Sequence, residues 1–389
     1  MKTINSMSIL LFIFLFLGCS QQQKAPYIKE EPKEIPAKKE KDVEYRIEPF
    51  VTGLTVPWSI VFTSSDRILV TERIGKVRII KNGILQSNPA IEIAEVSTGS
   101  EEGLMGLALD PDYAVNKFVY LCYAYLSGKY SSDNMRVKVK RYVDSGDILI
   151  DDNFTLIDDI PGAKNHCGGR IKFGPGSKLY ISAGDATDWE LAQDLNKLNG
   201  KILRINKDGS IPLDNPFPGS TVWVYGIRNA QGMDWFPGSN VMIESEHGPS
   251  GFDGPGGGDE VNIIEKGQNY GWPIVSHTRT KEGMMSPIAV FTPAEAPGSG
   301  MIYKGNTFPQ FKNNFFFGCL RGRGIMRIVF DANDYKKVVS YEKLQGIDFG
   351  RIRDVSEGPD GFIYFSTSNK DGRGNPANDD DKIYVIKPK

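Results

Sequence analysis

This chain is short of the residues that usually advertise chemistry. Three histidines and four cysteines occur in 389 residues, with no CxxC pair, which excludes a zinc module built on clustered Cys and His. Neither sign of charge dominates, since 46 Lys and Arg face 48 Asp and Glu, and a near-neutral chain offers no electrostatic case for nucleic acid. After residue 19 no apolar stretch approaches membrane-spanning length. Amphipathic helices are missing too, apart from a short candidate near 190–198. No Walker loop, HExxH, GxSxG or Rossmann fingerprint stands in its required context.

What the chain has in quantity is turns. Forty-two glycines and 23 prolines punctuate apolar runs, while 40% apolar and 24% charged content are those of a folded protein. From residue 45 onward one loose phrase recurs six times, at 60–80, 107–143, 171–206, 233–264, 301–331 and 355–388. Each has a turn such as SSD, GPGS, FPGS or GPDG before a run of β-branched and aromatic residues. Repeats of roughly 50 residues with several short strands each predict an all-β fold, a six-bladed β-propeller. The strand-like stretch 44–51 precedes the first module and is expected to complete the last sheet.

The amino terminus reads differently. Residues 1–19 carry Lys2, an apolar run over 9–17, and Gly18-Cys19, the layout of a secretory signal. Gly-Cys resembles a bacterial lipobox, in which Cys19 becomes lipidated; Phe16 stands where Leu is usual, and a plainly cleaved signal is the alternative. Residues 20–44 mix Lys, Glu and Pro with almost no apolar content, as a flexible tether does. The expectation is an exported domain, 45–389, held at the bacterial cell envelope (periplasmic or outer surface) by a lipid anchor only. Cys122, Cys167 and Cys319 read as buried free thiols, with one disulfide after export as the alternative.

Candidate chemistry concentrates between 166 and 272, where His166, Arg228, Asn229, His247, Asp259, Glu260 and Asn262 sit in Gly-rich connections. His166 is either a structural hydrogen-bonder or a base able to accept a proton near pH 7. Arg228 either braces its loop or stabilises developing negative charge. The EHGP turn can expose the carbonyls of Gly248 and Pro249, and oxygen ligands suit calcium. Arg351 and Arg353 alternate on one strand and so face one side. Trp58, Trp272 and the aromatic run 315–317 read as core, and Lys201 and Arg204 as outward charges on a strand.

In order, LTVPWSIVF, EEGLMGLALDPDY, KNHCGGRIKFGP, LYISAGDATD, GKILRINKDGSIPLDNPF, YGIRNAQGMDW, EHGP, GGDEVNIIEKGQNYGWP and RIRDVSEGPDGFIYFST resemble the soluble glucose/sorbosone dehydrogenases that use pyrroloquinoline quinone (PQQ). The resemblance spans most of 50–370. It implies His166 as general base toward the anomeric hydroxyl of an aldose, and Arg228 as stabiliser of the quinone oxygen. Asn229 becomes a cofactor-side donor, and Arg321, Arg351 and Arg353 bind cofactor carboxylates. Glu101 and Asn165 take substrate-side positions. Gly248 and Pro249 would bind the calcium that also holds the quinone, and Asp259, Glu260 and Tyr270 a second calcium. Electrons would pass to a respiratory quinone or cytochrome, from a monomer or homodimer.

Three departures stand out. The segment SGFDGPGGG (250–258) is longer than the family's spacer, Ser368 replaces a frequent Asp, and Arg321 a frequent Lys. Two rival readings are a calcium-dependent lactonase-type hydrolase and a non-catalytic surface propeller that binds glycan or protein. The first would need a central cluster of carboxylate or Asn ligands; loss of His166 or Arg228 would favour the second.

Overall fold

The computed structural model describes residues 28–29, 43–128 and 134–389. The signal segment and Cys19 therefore lie outside the described residues. Of the stretch read as a tether, Ile28–Lys29 pairs antiparallel with Arg279–Thr280, and 30–42 lies outside the described residues.

Six antiparallel sheets stand in a ring, as expected, with the first strand of each innermost. Blade 1 runs outward as Pro57–Phe62, Arg67–Glu72, Lys76–Lys81 and Ile84–Leu85. Blade 2 is Leu104–Leu109, Phe118–Leu126, Met135–Asp144 and Leu149–Pro161; blade 3 is Ile171–Gly174, Lys178–Ala183, Lys201–Ile205 and Val222–Tyr225. Blade 4 comprises Ala230–Trp235, Met242–Glu246, Asp259–Ile264 and Ala289–Phe291, and blade 5 Pro297–Ile302, Phe315–Cys319, Gly324–Asp331 and Asp334–Lys343. Blade 6 takes Ile352–Glu357, Ile363–Thr367 and Ile383–Pro388, and borrows Tyr45–Val51 from the start of the domain. Tyr45 lies opposite Pro388 in that ladder, so the two ends of the ring are zipped together as the sequence suggests.

Each blade is covered on both faces, which is why its inner strands are apolar almost throughout. One hydrophobic cluster fills each gap between neighbours: Leu69 and Ile79 meet Leu107 and Leu121 between blades 1 and 2, and Met301 and Phe316 meet Val355 and Phe365 between blades 5 and 6. The innermost strands contact one another in cyclic order, ending with Ile352–Glu357 against Pro57–Phe62. Near the axis the backbones come very close. A Cβ on Gly106 of blade 2 would stand 2.4 Å from the carbonyl of Gly169, just before blade 3, so that position admits only glycine.

Two local expectations are corrected. The helix candidate near 190–198 is a single 3-10 turn, Trp189–Gln193, whose one buried side chain is Ala192; one apolar contact is too little to carry a longer helix. Lys201 and Arg204 do not point outward, because an inner strand of a propeller has no outward face. Lys201 is fully buried, and its ammonium donates to the carbonyls of Leu191, Ala192 and Asn199 at 3.0, 2.9 and 2.5 Å, closing off that same turn. Burial, opposed by the charge of Asp194, pushes its pKa down to about 7. Arg204 pairs with Asp214 and lies over the ring of Trp223. Cys122, Cys167 and Cys319 are buried free thiols, and Phe315, Phe316 and Phe317 are core.

Candidate active site

His166 stands on the connection from blade 2 to blade 3, held in the left-handed region at φ 59°. The glycines after it let this loop cross blade 3: a Cβ on Gly168 would meet the carbonyl of Ser182 at 2.5 Å. The amide oxygen of Asn229 accepts from the Gly168 N–H at 3.1 Å, which ties the loop to blade 4.

The imidazole is gripped at both nitrogens. Nδ1 lies 2.8 Å from Oδ1 of Asp185, and Nε2 lies 3.0 Å from Nη2 of Arg228. A guanidinium can only donate, so Nε2 accepts and the ring proton sits on Nδ1, facing Asp185. Asp185 is itself held, since its other oxygen accepts from the indole N–H of Trp272 at 2.8 Å and Oδ1 accepts from the N–H of Thr187. Trp272 is thus more than the core residue it was read as, because it orients the acid behind the histidine and lies under Arg228, 5.4 Å from ring centroid to guanidinium.

Arg228 is 2% exposed. Besides His166, it donates to Asp253 (2.8 Å), Ser250 (3.0 Å) and the carbonyl of His247 (3.2 Å). Its backbone N–H and that of Asn229 both donate to Glu246. Burial raises the Glu246 carboxyl to about 7 against those bonds, and Glu244 and Glu260 beside it are raised well above the ordinary carboxylate range for the same first reason.

A cavity at this mouth of the channel collects the predicted arginines. Arg321, Arg351 and Arg353 line it together with Arg373, Glu101 and Gln231. Arg351 is engaged by Asp371 at 2.7 Å, three residues beyond Ser368. Arg353 reaches Gln231 at 3.2 Å, but its Nε is buried with no partner, and Arg321 has no side-chain hydrogen bond or ion pair among the described residues. Burial, with Arg351 adding to it, brings Arg353 down to about 9. Trp58 lies under Arg353 and Arg170, so it too serves this cavity as well as the core. Arg321 and Arg353, cations without a carboxylate partner beside the paired Arg351, are what a polycarboxylate ligand requires, and PQQ fits this donor set.

Opposite the arginines lie Glu101 and Asn165. Arg373 bridges them, 2.5 Å from Glu101 and 2.9 Å from Asn165, while the other oxygen of Glu101 accepts from the N–H of His166 at 3.0 Å. Burial works against Glu101 ionising; His247, Arg373 and that N–H outweigh it and hold its carboxyl at about 2. His247 is itself brought to about 4 by burial, so near neutral pH the partner that counts is Arg373.

The expected calcium ligands fall in three places. Gly248, Pro249 and Asp259 border the cavity, but Asp259 accepts from the N–H groups of Gly248 and Ala296, and the Pro249 carbonyl accepts from Gly257. Glu260 turns instead toward Glu244 and Glu246. Tyr270 spends its hydroxyl on the carbonyl of Ile263 and the N–H of Glu265. Among the described residues no group of three or more His, Cys, Asp or Glu is arranged to hold a metal ion.

Three residues of the site were not singled out from sequence: Asp185, Asp253 and Arg373. Asp185 lies in LYISAGDATD directly after a strand, which was the one available signal. Asp253 lies in the segment 250–258 that the sequence already set apart, and nothing local marks Arg373.

The comparisons agree with this architecture. Residues 54–376 match the family model for glucose/sorbosone dehydrogenase. The aldose sugar dehydrogenase YliI of Escherichia coli K12 is 33% identical, over 84% of this chain and 91% of that one; the E. coli soluble aldose sugar dehydrogenase solved in its apo form superposes with a TM-score of 0.78, covering 89% of this chain and all of that one, at 29% identity. A PQQ-bound aldose sugar dehydrogenase from Streptomyces coelicolor aligns at 30% identity and TM-score 0.76, covering 89% of this chain and 98% of the other. The chain belongs to the glucose/sorbosone dehydrogenase family.

Proposed function

We propose that this protein oxidises aldose sugars at C1 to lactones, using PQQ and calcium, and that it does so as an exported lipoprotein whose electrons leave to a respiratory quinone or cytochrome. The observation that carries the reading is the His166–Asp185 pair beside a cavity of under-paired arginines, in a chain of this family.

Bound PQQ would supply a two-electron oxidant able to take hydride from C1. The chain's own residues supply the rest. Nε2 of His166 is the unprotonated nitrogen, which accepts from Arg228 in this structure, and it receives the C1 hydroxyl proton; Asp185, on the far side, stabilises the imidazolium that results. Arg228, fixed over Trp272, stabilises negative oxygen. Arg321 and Arg353 hold carboxylates, and Glu101 and Asn165, lined up by Arg373, meet sugar hydroxyls. The calcium set fits less well than the arginines, since the Pro249 carbonyl already accepts from Gly257, and none of these steps runs through the metal. The lipid anchor rests on Gly18-Cys19.

The test is a titration of the purified protein with PQQ, with and without calcium, followed by a panel of aldoses while the cofactor absorbance is watched. Stoichiometric binding and sugar-dependent bleaching, lost in His166→Ala, establish the activity. Failure to bind PQQ at micromolar concentration with calcium present leaves the non-catalytic propeller as the better reading.

A further inference from the structure

The segment 250–258 lies against Arg228 and His166. Arg228 has five N–H groups; one meets His166, two further directions are taken by Ser250 and Asp253, and one by the His247 carbonyl. Of these partners, His166 and the His247 carbonyl sit on the propeller frame, whereas Ser250 and Asp253 belong to the loop. Both members of the Arg228–Asp253 pair are essentially buried, with side-chain exposures of 2% and 0%. Next to it Phe252, which is 60% exposed, lies stacked beside the imidazole of His166 at 6.0 Å between ring centroids, with Trp189 behind it at 6.5 Å.

The loop also borders the cavity: Ser250 and Pro249 line it, while Ser250, Asp253 and Phe252 meet Arg228 and His166. Its ends are pinned, by Gly257 N–H to the Pro249 carbonyl and by Gly258 N–H to the Phe291 carbonyl. Between them Gly251 is at φ 97° with open space where a Cβ would stand, a conformation that glycine adopts at little cost.

We propose that 250–257 is a latch, in which Asp253 is an internal carboxylate that occupies Arg228 until an incoming ligand oxygen replaces it. The proposal rests on the PQQ reading of the site. Opening exchanges one anion on Arg228 for another and uncovers the face of His166, while the pinned ends stay in place. Asp253 is a positioning residue, acting through Arg228, and not a catalytic one.

The test uses the full chain prepared without PQQ, as wild type, Asp253→Asn and Phe252→Ala; the last removes an exposed ring and does not threaten folding. Two readouts are taken: PQQ association in calcium buffer by tryptophan quenching, and carbethoxylation of His166 by diethyl pyrocarbonate, resolved from the other histidines by peptide mass. If the latch is closed most of the time, apparent affinity is reduced by the open fraction, so Asp253→Asn binds PQQ about tenfold faster and tighter. His166 reacts faster in both variants. Unchanged His166 reactivity, or PQQ binding that is equal or weaker in Asp253→Asn, overturns the latch. If no protein binds PQQ while His166 becomes reactive in the variants, the latch stands and the PQQ reading falls.

Discussion

Asp185 presents one carboxylate oxygen to Nδ1 of His166 at 2.8 Å and the other to the indole of Trp272 at the same distance. The acid is therefore clamped on the side away from the histidine, and it dictates which imidazole nitrogen carries the proton. Asp185→Asn can present its amide N–H to Nδ1 and turn the ring proton to Nε2. The expected outcome in the PQQ-loaded protein is a fall in kcat of about 10²- to 10⁴-fold with PQQ affinity little changed. Steady-state kinetics beside a binding titration checks it.

Arg353 is a buried cation with an unpartnered Nε. Arg353→Met should weaken PQQ binding by about 10- to 100-fold, the loss of a hydrogen bond to a charged group, yet raise the melting temperature of the cofactor-free protein, because an isolated buried charge costs stability. Opposite signs in the two measurements are the diagnostic result.

Glu101 is held at about 2 against an ordinary value of 4.5. A depressed acid contributes stability that is present above 4.5 and is lost as pH falls toward 2. Glu101→Gln should therefore cost about 1–3 kcal/mol at pH 7, a deficit that shrinks below pH 4.5. Urea unfolding of the two proteins across that range reads it directly.

Lys201 has the opposite habit for a base, since burial lowers it from 10.5 to about 7. Between those values the unfolded chain binds the extra proton, so this group's contribution to stability rises with pH. Lys201→Met, which strands three carbonyls, should cost about 1–3 kcal/mol and cost more at pH 9 than at pH 6.

Cys19→Ala should move the protein from the membrane fraction to the soluble one without changing its specific activity. Detergent partitioning of cells expressing each form decides between a lipid anchor and a plainly cleaved signal.

The ring was legible because each blade repeats the same turn and strand chemistry, and even the borrowed strand 45–51 could be placed. The site was legible where a residue sits in a distinctive phrase, as His166 does in HCGGR and Arg228 in YGIRNAQG. What could not be read is contact across the channel mouth. Arg373 meets Glu101 from a loop 272 positions away in sequence, and spacing carries no trace of such a meeting. Lys201 was misjudged for a related reason, since strand alternation assumes one wet face and a blade packed between neighbours has none. Trp272 looked like core because it is buried; its indole N–H needed a partner, and that partner is Asp185, which also meets His166.

The ladder between Tyr45–Val51 and Ile383–Pro388 has a consequence for how the molecule is made. The first strand of the domain to be synthesised cannot find its place until the last has arrived, more than 330 residues later. Contacts of such long sequence separation form slowly, and an incomplete ring leaves Tyr45–Val51 unpaired and open to other chains. Ring closure, rather than the folding of any one blade, is therefore the step at which the yield of this fold is decided.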